Sequence, residues 1–493
     1  MSNAGETVAV AIRLPKETGM VEPGGFDPSR LHFIGVGGIG MSGLAKIFAS
    51  RGSRVSGSDA KDSHLLGALR QLGCEVTVGH DPSNLGDPTC VVVCTAIRAD
   101  NPELVAARAR GIPVVHRAEA LASLMADRRA VVVAGTHGKT TTTSMLSVAF
   151  QRLGLDPSYA IGGELGEPGS NAHEGSGDLF VAEADESDRS FHRYRPTAGT
   201  ILNIEEDHHD HYSSLAEIVE SFHQFARRIV AGGVLVASAD DPAAAGLAGR
   251  LAQSTPGLRV WTFGEANSAD WRIAKIDLHQ LTSQAVVRSP EGEELTLRVM
   301  VPGRHNAHNA TAALAVGAGL GLPASEMAEA LSAYAGVGRR FQIKGQARGV
   351  TVVDSYAHHP SEIAADLATA RQAVSGGRVV AVFQPHLFTR TRALGAGMGQ
   401  ALAAADVAVI MDIYPAREDP IPGVTSDIVI HAALEHGAVV RVAHQGAAVP
   451  DIVAGIAQPG DMVLTMGAGD VTMLGPRILA SLGHPAPTTS GPG

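Results

Sequence analysis

The sequence is poor in aromatic residues and cysteine and has no long apolar run. Aromatic residues make up 4% of its 493 residues, and the three cysteines are Cys74, Cys90 and Cys94. Three cysteines in apolar surroundings do not suit a disulfide framework and indicate reduced thiols in a cytoplasmic protein. Cys90 and Cys94 could bind a metal, but packing within a strand explains them better. No stretch reaches the roughly 18 consecutive apolar residues of a membrane span, so we expect none.

The chain also lacks an excess of basic residues. Its formal net charge of −11 argues against a nucleic-acid-binding protein, which usually presents a basic face. A hydrophobic content of 45% with 57 glycines instead fits an α/β protein with aliphatic strands and glycine-rich turns. At about 150 residues per domain, the length suggests roughly three or four domains.

The order of apolar runs and helical patterns predicts three α/β units with mainly parallel, doubly wound sheets. We place a first domain at 30–124, a central domain at 125–337 and a last domain at 338–484. Residues 1–29 are interpreted as a mobile leader and residues 485–493 as a mobile tail.

A glycine-rich turn with a lysine follows the apolar run at 131–134 and precedes a helical pattern. Small residues let backbone N–H groups face an anion, and the helix dipole points its positive end there. Lys139 adds a charge for the β- and γ-phosphates, and the Thr140 hydroxyl suits Mg²⁺. A plain glycine turn does not explain a lysine followed by four threonines. The predicted phosphate-binding residues are Gly135, Thr136, His137, Gly138, Lys139, Thr140 and Thr141.

A second glycine motif, at 35–40, follows a predicted strand and opens a predicted helix. Asp59 ends the next strand about twenty residues on, where a carboxylate can bind ribose hydroxyls. The pattern alone fits an NAD-dependent oxidoreductase or a protein that binds another pyrophosphate, such as that of a UDP-sugar. We favour the UDP-sugar, because a nicotinamide enzyme needs no second, lysine-bearing nucleotide site. The predicted sugar-nucleotide contacts are Gly37, Gly38, Gly40, Met41 and Asp59.

Acidic residues and histidines follow two apolar runs of the central domain, at the strand ends where α/β sheets place ligand chemistry. We assign Glu183 to Mg²⁺ and interpret the later acids of the cluster, at 184–188, as a solvated loop. The histidine group at 207–211 could bind zinc. With no cysteine nearby, we expect His208 instead to support a second Mg²⁺.

Polar groups also follow two predicted strands of the last domain, at 354–360 and 384–392, so we expect them to share one cleft. Arg339 and Arg340 precede this domain. We interpret Arg339 as a solvated linker residue, and we expect Arg340 to reach a phosphoryl group when the domains close.

Five motifs occur in order along the chain: Gly37–Gly43, Gly135–Thr143, Glu183–Asp188, Pro302–Asn306 with Asn309, and Tyr356–Pro360. Together they resemble the motifs of the UDP-N-acetylmuramate:L-alanine ligases, which belong to the Mur ligase family. The resemblance runs from Leu31 to about Leu482. It implies a Rossmann-like N-terminal domain for the UDP-sugar, a central P-loop ATPase domain, and a Rossmann-like C-terminal domain for the amino acid.

The resemblance also implies a reaction and a set of site residues. ATP phosphorylates the carboxylate of UDP-N-acetylmuramate, and the amine of L-alanine attacks the resulting acyl phosphate. Thr140, Glu183 and His208 are the implied Mg²⁺ ligands, and Asn306 or Asn309 is expected beside the nucleotide. The residues implied to act in the closed site are Lys139, His208, Arg340, Asp354, His358 and Arg390.

Two positions depart from this family pattern. Ser355 stands where a second aspartate is usual, and Leu387-Phe388 stand where Arg-Tyr is common. Both affect the expected placement of the amino acid. A murein-tripeptide ligase is the alternative within the class, and a non-catalytic nucleotide-binding switch is an alternative outside it. The sequence leaves open whether the protein is a monomer or a homodimer.

Overall fold

The computed structural model describes residues 25–166, 169–187, 189–207, 212–416 and 418–483. In these ranges the chain forms sheets of five, ten and six strands, one after another, each flanked by helices. The three α/β units that the sequence predicts are therefore present. None of the helices in these ranges has the length and hydropathy of a membrane span.

The N-terminal unit is a parallel sheet covered by helices. Its elements are β1 (Arg30–Ile34), α1 (Ile39–Ser50), β2 (Arg54–Asp59), α2 (His64–Gln71), β3 (Glu75–Val78), β4 (Cys90–Val93), α3 (Pro102–Ala109), β5 (Val114–His116) and α4 (Arg117–Met125). The strand order is β3-β2-β1-β4-β5, and all four pairings are parallel. This Rossmann-like order reverses at β1, so the glycine motif that follows β1 lies at the switch point of the sheet.

The ordered N-terminal unit begins before β1. Asp27 accepts a hydrogen bond at its carbonyl from Thr89 Oγ1 (2.8 Å), and Phe26 packs against the core. Residues 25–29 therefore contact the sheet, although the sequence assigns them to a leader. The rest of the predicted leader, and the predicted tail, lie outside the described residues.

The central unit contains the largest sheet. Its elements are β6 (Arg129–Ala134), α5 (Lys139–Arg152), β7 (Ser158–Ala160), β8 (Ala172–His173), β9 (Leu179–Glu183), β10 (Ala198–Ile201), α6 (Leu215–Ala226), β11 (Val234–Ser238), α7 (Pro242–Ser254), β12 (Arg259–Gly264), β13 (Trp271–His279), β14 (Thr282–Arg288), β15 (Glu294–Val299), α8 (Arg304–Gly319) and α9 (Ala324–Leu331). The strand order is β15-β14-β13-β12-β11-β10-β6-β9-β7-β8.

In this sheet β6 lies between β9 and β10, parallel to both. The loops that follow these three strands therefore begin at one edge, and the first two carry the phosphate loop and the acidic cluster. Residues 208–211 of the histidine group lie outside the described residues. β14 pairs antiparallel with β13 and β15, and β7 pairs antiparallel with β8. The sequence prediction of a mainly parallel sheet does not include these antiparallel additions.

The C-terminal unit is a second open sheet. Its elements are β16 (Gln342–Ala347), β17 (Val350–Ser355), α10 (Pro360–Ala373), β18 (Val379–Phe383), α11 (Phe388–Leu402), β19 (Val407–Met411), α12 (Asp427–Glu435), β20 (Val440–Ala443), α13 (Val449–Ile456), β21 (Met462–Met466) and α14 (Leu474–Gly483). The order is β16-β17-β21-β18-β19-β20, parallel except for the β16–β17 pair. β18 and β21 are fully buried apolar strands, as expected where helices cover both faces.

The local sequence fixes where α10 begins. His359 is its N-cap, Pro360 occupies the first helical position, and the Glu362 side chain completes a capping box. These groups satisfy backbone N–H donors at the helix start and preset the backbone dihedral there. Ser361 in this first turn donates to Glu205 of the central unit at 2.6 Å, so α10 begins where the two units meet.

Candidate active site

The phosphate loop connects β6 to α5 and needs its glycines for steric reasons. Gly138 has φ +85° and Gly135 φ +143°. A Cβ on Gly138 would lie 2.7 Å from Asn309 Oδ1, and one on Gly135 would lie 2.9 Å from Leu202 Cβ. No side chain caps the start of α5 at Gly138, so its first backbone N–H groups can bind an anion.

Lys139 is held at this loop by two carbonyls and a carboxylate. Its Nζ donates to the carbonyls of Gly135 (2.5 Å) and Thr136 (3.1 Å) and pairs with Glu186 (2.8 Å). Burial opposes its charge, but Glu186 and nearby carboxylates raise the pKa of Lys139, so the ammonium stays protonated. The sequence interpretation of Glu186 as a solvated acid is wrong, because a buried ammonium requires a partner and this carboxylate, 2% exposed, supplies it.

Two of the three predicted Mg²⁺ ligands, Thr140 and Glu183, lie within the described residues, and their side chains are adjacent. Thr140 Oγ1 is 3.1 Å from Glu183 Oε2, and the other oxygen of Glu183 accepts the Gly162 N–H at 2.5 Å. Burial raises the pKa of the Glu183 carboxyl. A divalent cation would offset this desolvation, and hydroxyl and carboxylate oxygens are donors that Mg²⁺ prefers. His208, the predicted support of a second ion, lies outside the described residues.

The acidic cluster also contacts the N-terminal unit. Asp185 pairs with Arg117 at the start of α4. Burial opposes ionisation of Asp185, but Arg117 and Ser187 lower its pKa to about 2. Asp185 is thus a second acid that the sequence assigns to solvent and the structure places in an ion pair. Sequence spacing gives no signal for a partner 68 residues away.

The glycine motif of the N-terminal unit lies against the central unit. Gly37 donates its N–H to Asp59 Oδ2 at 2.9 Å, so this carboxylate orders the turn. Gly38 caps α1, and Gly40 and the buried Met41 lie in its first turn. Asn171 of the central unit donates to the carbonyl of Ile39 at 2.6 Å. The predicted sugar-nucleotide residues are therefore brought together at the boundary with the central unit.

A cavity of about 220 Å³ separates the phosphate loop from the C-terminal unit. Its walls include residues from the phosphate loop, from α8, from the segment between the two units, from the end of β17 and from α10. Among the lining residues are His137, Gly138, Thr141, Glu205, Asn306, Asn309, Arg340, Ser355, Ser361, Glu362 and Asp366. The predicted cleft at the ends of the last domain's strands therefore exists, and it is shared with the phosphate loop.

Arg340 connects the two sides of this cavity. Its guanidinium is 3.4 Å from Thr140 Oγ1, 3.7 Å from Glu362 Oε1, and 5.0 Å from the centre of the Tyr356 ring. The sequence interpretation of Arg339 as a solvated linker residue is wrong. Arg339 donates to the carbonyls of Gly467 (2.7 Å) and Gly469 (3.1 Å), which fixes the segment to the C-terminal unit.

His137 reaches from the phosphate loop to α10. Its Nδ1 is 3.2 Å from Glu362 Oε1, and its ring centre is 4.6 Å from that of His359. Burial opposes protonation, but Glu362 and Glu205 raise the pKa of His137 to about 9. His137, Glu205 and His359 lie close enough to share a cation, but a protonated imidazole is a poor metal ligand. The side-chain role of His137 is not predictable from the loop motif.

The three other predicted residues of the C-terminal unit, Arg390, His358 and Asp354, differ in their position relative to the cavity. Arg390 pairs with Asp207 of the central unit at 3.1 Å, so it lies at the closed interface. His358 is near the cavity, with Nδ1 2.9 Å from the Tyr356 carbonyl, and burial lowers its pKa to about 4. Asp354 is not brought to the cavity.

Strand geometry explains the position of Asp354. Successive side chains of a strand point to opposite faces, so Ser355 lines the cavity and Asp354 points away from it. Asp354 is fully buried and accepts hydrogen bonds from Thr465 (2.8 Å) and Thr472 (2.5 Å). Its carboxylate therefore joins β17 to the end of β21.

These contacts define a three-unit nucleotide-binding protein whose phosphate loop faces a second α/β unit across a cleft. Family models match nearly the whole of it: "Mur ligase family, catalytic domain" at 30–129, "Mur ligase middle domain" at 133–317 and "Mur ligase, glutamate ligase domain" at 339–469. The chain belongs to the Mur ligase family.

Individual relatives agree with this membership. A UDP-N-acetylmuramate–L-alanine ligase of Streptomyces avermitilis is 59% identical over 454 residues, which is 92% of this chain and 97% of that protein. The crystal structure of UDP-N-acetylmuramate-alanine ligase MurC from Thermotoga maritima is similar at a TM-score of 0.79 and 29% identity, covering 92% of this chain and 98% of that chain. A murein peptide ligase from Psychrobacter arcticus has a TM-score of 0.71 and 25% identity, covering 93% and 99%.

Proposed function

We propose that this protein joins L-alanine to the carboxylate of UDP-N-acetylmuramate in an ATP-dependent reaction that forms ADP and phosphate. Mur ligases are ATP-dependent, and the Streptomyces relative at 59% identity bears the name of this activity. The observation that carries the proposal is that Thr140 Oγ1 lies 3.1 Å from Glu183 and 3.4 Å from Arg340, next to the Lys139 ammonium that the phosphate loop and Glu186 hold.

The phosphate loop would bind the β- and γ-phosphates of ATP. The turn admits only glycine at 135 and 138, the start of α5 is uncapped, and the Lys139 ammonium is fixed beside it. Backbone N–H groups and a lysine in this arrangement fit a polyphosphate. Asn306 and Asn309 line the cavity beside Gly138, which supports their assignment to the nucleotide.

Thr140 and Glu183 would hold Mg²⁺, since they are adjacent oxygen donors, the first buried and the second partly buried. When bound, Mg²⁺ would neutralise negative charge on the phosphates. The assignment of His208 to a second ion is supported by the sequence motif.

The protein's side chains would stabilise the charge of the transferred phosphoryl group and position the reacting substrates. In the first step an oxygen of the muramoyl carboxylate attacks the γ-phosphorus of ATP and ADP leaves. In the second step the alanine nitrogen attacks the acyl carbon and phosphate leaves. Lys139 and Arg340 would stabilise the charge on the transferred group through fixed electrostatics, so no covalent enzyme intermediate is needed.

The outer units would bind the other substrates. Gly37, Gly38, Gly40 and Met41 would contact the UDP-sugar, and Asp59 would keep their turn in place. His358 and Arg390 would frame the amino-acid side of the closed site, and Asp354 would act indirectly by holding β17. We expect the reaction to take place in the cytoplasm, where ATP is available.

Phosphate release tests the proposal. With ATP, Mg²⁺ and UDP-N-acetylmuramate, we expect release to require L-alanine, and we expect Lys139→Ala to lower it at least about 100-fold, a loss typical of removing one electrostatic stabiliser. The variant should still bind UDP-N-acetylmuramate. Release by Lys139→Ala at the wild-type rate would contradict the assignment of the loop.

The same assay separates the alternatives. A tripeptide in place of L-alanine should give no release, whereas a preference for the tripeptide would identify a murein-tripeptide ligase. ATP binding without any release would indicate a nucleotide-binding switch. Binding of NAD in a titration would favour an oxidoreductase.

A further inference from the structure

Asp366 places a carboxyl group on the side of the cavity that α10 and β17 form. It lies one helical turn after Glu362, on the same face of α10, and is 9% exposed. The cavity that it lines has the phosphate loop on its other side. A group at this position faces the space where an acyl phosphate would meet its nucleophile.

The orientation of Asp366 is set by a short chain of hydrogen bonds. Ala357 donates its N–H to Ser355 Oγ at 3.0 Å, and Ser355 Oγ donates to Asp366 Oδ2. The Ser355 hydroxyl accepts the hydrogen bond from the amide N–H with its oxygen. Its single proton is therefore free to be donated to the carboxylate of Asp366. Ser355 therefore fixes one oxygen of Asp366.

The neighbouring carboxylate of Glu362 has three polar partners, whereas the described residues show one for Asp366. Glu362 interacts with the His137 ring (3.2 Å), the His358 N–H (3.1 Å) and Arg340 (3.7 Å). Within the described part of the chain, Ser355 is the one hydrogen-bond partner shown for Asp366. Since a carboxylate can accept about four hydrogen bonds, Asp366 retains acceptor capacity toward the cavity.

The electrostatic surroundings suit a proton acceptor. Burial raises the pKa of Asp366 to about 7, with Glu362 acting in the same direction and with Ser355 and Arg340 opposing it. A carboxylate that titrates near neutral pH accepts a proton more readily than an ordinary one.

We propose that the carboxylate of Asp366, positioned by Ser355, binds the ammonium group of the incoming L-amino acid and accepts its proton. This inference rests on the proposed ligase function and assigns a residue that the sequence motifs do not include. It also accounts for Ser355, which stands where the resembling ligases usually have an aspartate: α10 supplies the carboxyl group that β17 lacks.

In the proposed reaction, one proton moves from the amino acid to Asp366 before the amide bond forms. An ammonium N–H bond breaks, its electron pair stays on nitrogen, and the proton forms an O–H bond on Asp366. The nitrogen then forms a C–N bond to the acyl carbon, and the C–O bond to phosphate breaks with its electron pair on phosphate. The second proton of the nitrogen leaves with phosphate, and Asp366 returns its proton to water.

Hydroxylamine separates this step from the chemistry before it. It is largely uncharged at neutral pH, so it traps an acyl phosphate as a hydroxamate without a proton acceptor. The experiment measures alanine ligation and hydroxamate formation, both with ATP, Mg²⁺ and UDP-N-acetylmuramate, for wild type, Asp366→Asn and the control Asp406→Asn. Asp406 pairs with Arg371 at the other end of α10 (2.7 Å) and lies outside the cavity.

We expect Asp366→Asn to lower alanine ligation at least about 100-fold, the usual size of general base catalysis, and to keep hydroxamate formation within about threefold of wild type. Ser355→Ala should raise the KM for L-alanine without changing hydroxamate formation, as expected of a positioning residue. The exchanged pair S355D/D366S should regain ligation that D366S alone loses, and Asp406→Asn should resemble wild type.

Two results would overturn the inference. One is alanine ligation by Asp366→Asn within threefold of wild type. The other is a parallel loss of ligation and hydroxamate in Asp366→Asn, which would place the residue in the earlier step or in folding. Absence of hydroxamate with the wild-type protein would overturn the proposed function itself, and the inference with it.

Discussion

At the scale of single residues, the site depends on charged side chains whose partners lie far away in the chain, as in the pairs Lys139–Glu186 and His137–Glu362. The sequence identifies Lys139, Thr140 and Glu183 because they lie at or shortly after the carboxyl end of a buried parallel strand, where ligand chemistry collects. Glu186 and Glu362 are missed because their significance comes from partners 47 and 225 residues away. No local pattern encodes such a pairing, so the sequence interpretation leaves Glu186 in solvent and assigns no role to Glu362.

His137 leads to a prediction about pH. Its pKa in the folded protein is about 9, above the ordinary value of 6.5, so its charge stabilises the fold fully below pH 6.5. That stabilisation is lost as pH rises from 6.5 to 9, because the unfolded chain releases this proton near pH 6.5 whereas the folded protein keeps it up to about pH 9. We expect the free energy of unfolding of wild type to fall between pH 6.5 and 9 relative to that of His137→Gln.

Denaturant unfolding across this range checks the prediction. His444→Gln is a matched control, because that histidine pairs with Asp412 on the surface with 73% of its side chain exposed. Equal pH dependence in wild type and His137→Gln would contradict the assigned charge.

At the scale of helices and strands, the sequence predicts best where both faces of a sheet are covered. The strands β9, β18, β19 and β21 coincide with apolar runs that can be located in the sequence, because buried parallel strands are continuously apolar. The apolar run at 201–204 is typical of a strand, but β10 (Ala198–Ile201) ends where that run begins, and its own alanine, glycine and threonine give little apolar signal. The antiparallel strands β14 and β15 alternate in burial and resemble surface segments in sequence.

The phosphate loop, which connects β6 to α5, leads to a prediction about ATP affinity. Gly138→Ala should lose ATP affinity, because a Cβ would lie 2.7 Å from Asn309 Oδ1 where the phosphates are expected. Gly154, at the other end of α5, also has positive φ (+72°), but nothing lies within 4 Å of its Cβ position. Gly154→Ala therefore carries the same kind of backbone strain without the contact.

We expect ATP to bind Gly138→Ala at least about tenfold more weakly than wild type, and to bind Gly154→Ala with wild-type affinity. The binding free energies of the two variants should then differ by at least about 1.4 kcal/mol. Isothermal titration with a nonhydrolysable ATP analogue measures both. Equal weakening in the two variants would show that backbone strain, and not the shape of the loop, governs binding.

At the scale of the whole molecule, an ion pair and hydrogen bonds connect the central and C-terminal units. Arg390 and Asp207 form a nearly buried pair, and Ser361 Oγ donates to Glu205 at 2.6 Å. Family motifs suggest that the units close on each other, but they do not show which residues make contact. The order of the three units is predictable from sequence, whereas their contacts depend on loop conformations that no periodic pattern encodes.

Removing one partner of the Arg390 pair should favour an open arrangement, because a buried charge would lose its partner. We expect Asp207→Asn to have a larger radius of gyration than wild type in small-angle X-ray scattering without ligands, and to need more L-alanine for half-maximal ligation. Asp412→Asn, which removes an exposed carboxylate beside His444, is the control. Unchanged scattering in Asp207→Asn would mean that the pair does not maintain closure.

The most direct measurement for the account as a whole is a crystal structure with a nonhydrolysable ATP analogue, Mg²⁺ and UDP-N-acetylmuramate. The predicted result has the terminal phosphates on the N–H groups at 136–140, within reach of Lys139 Nζ, and the metal between Thr140 and Glu183. The muramoyl carboxylate should then face the γ-phosphorus. An analogue bound at another place, with the turn between β6 and α5 unoccupied, would contradict the account.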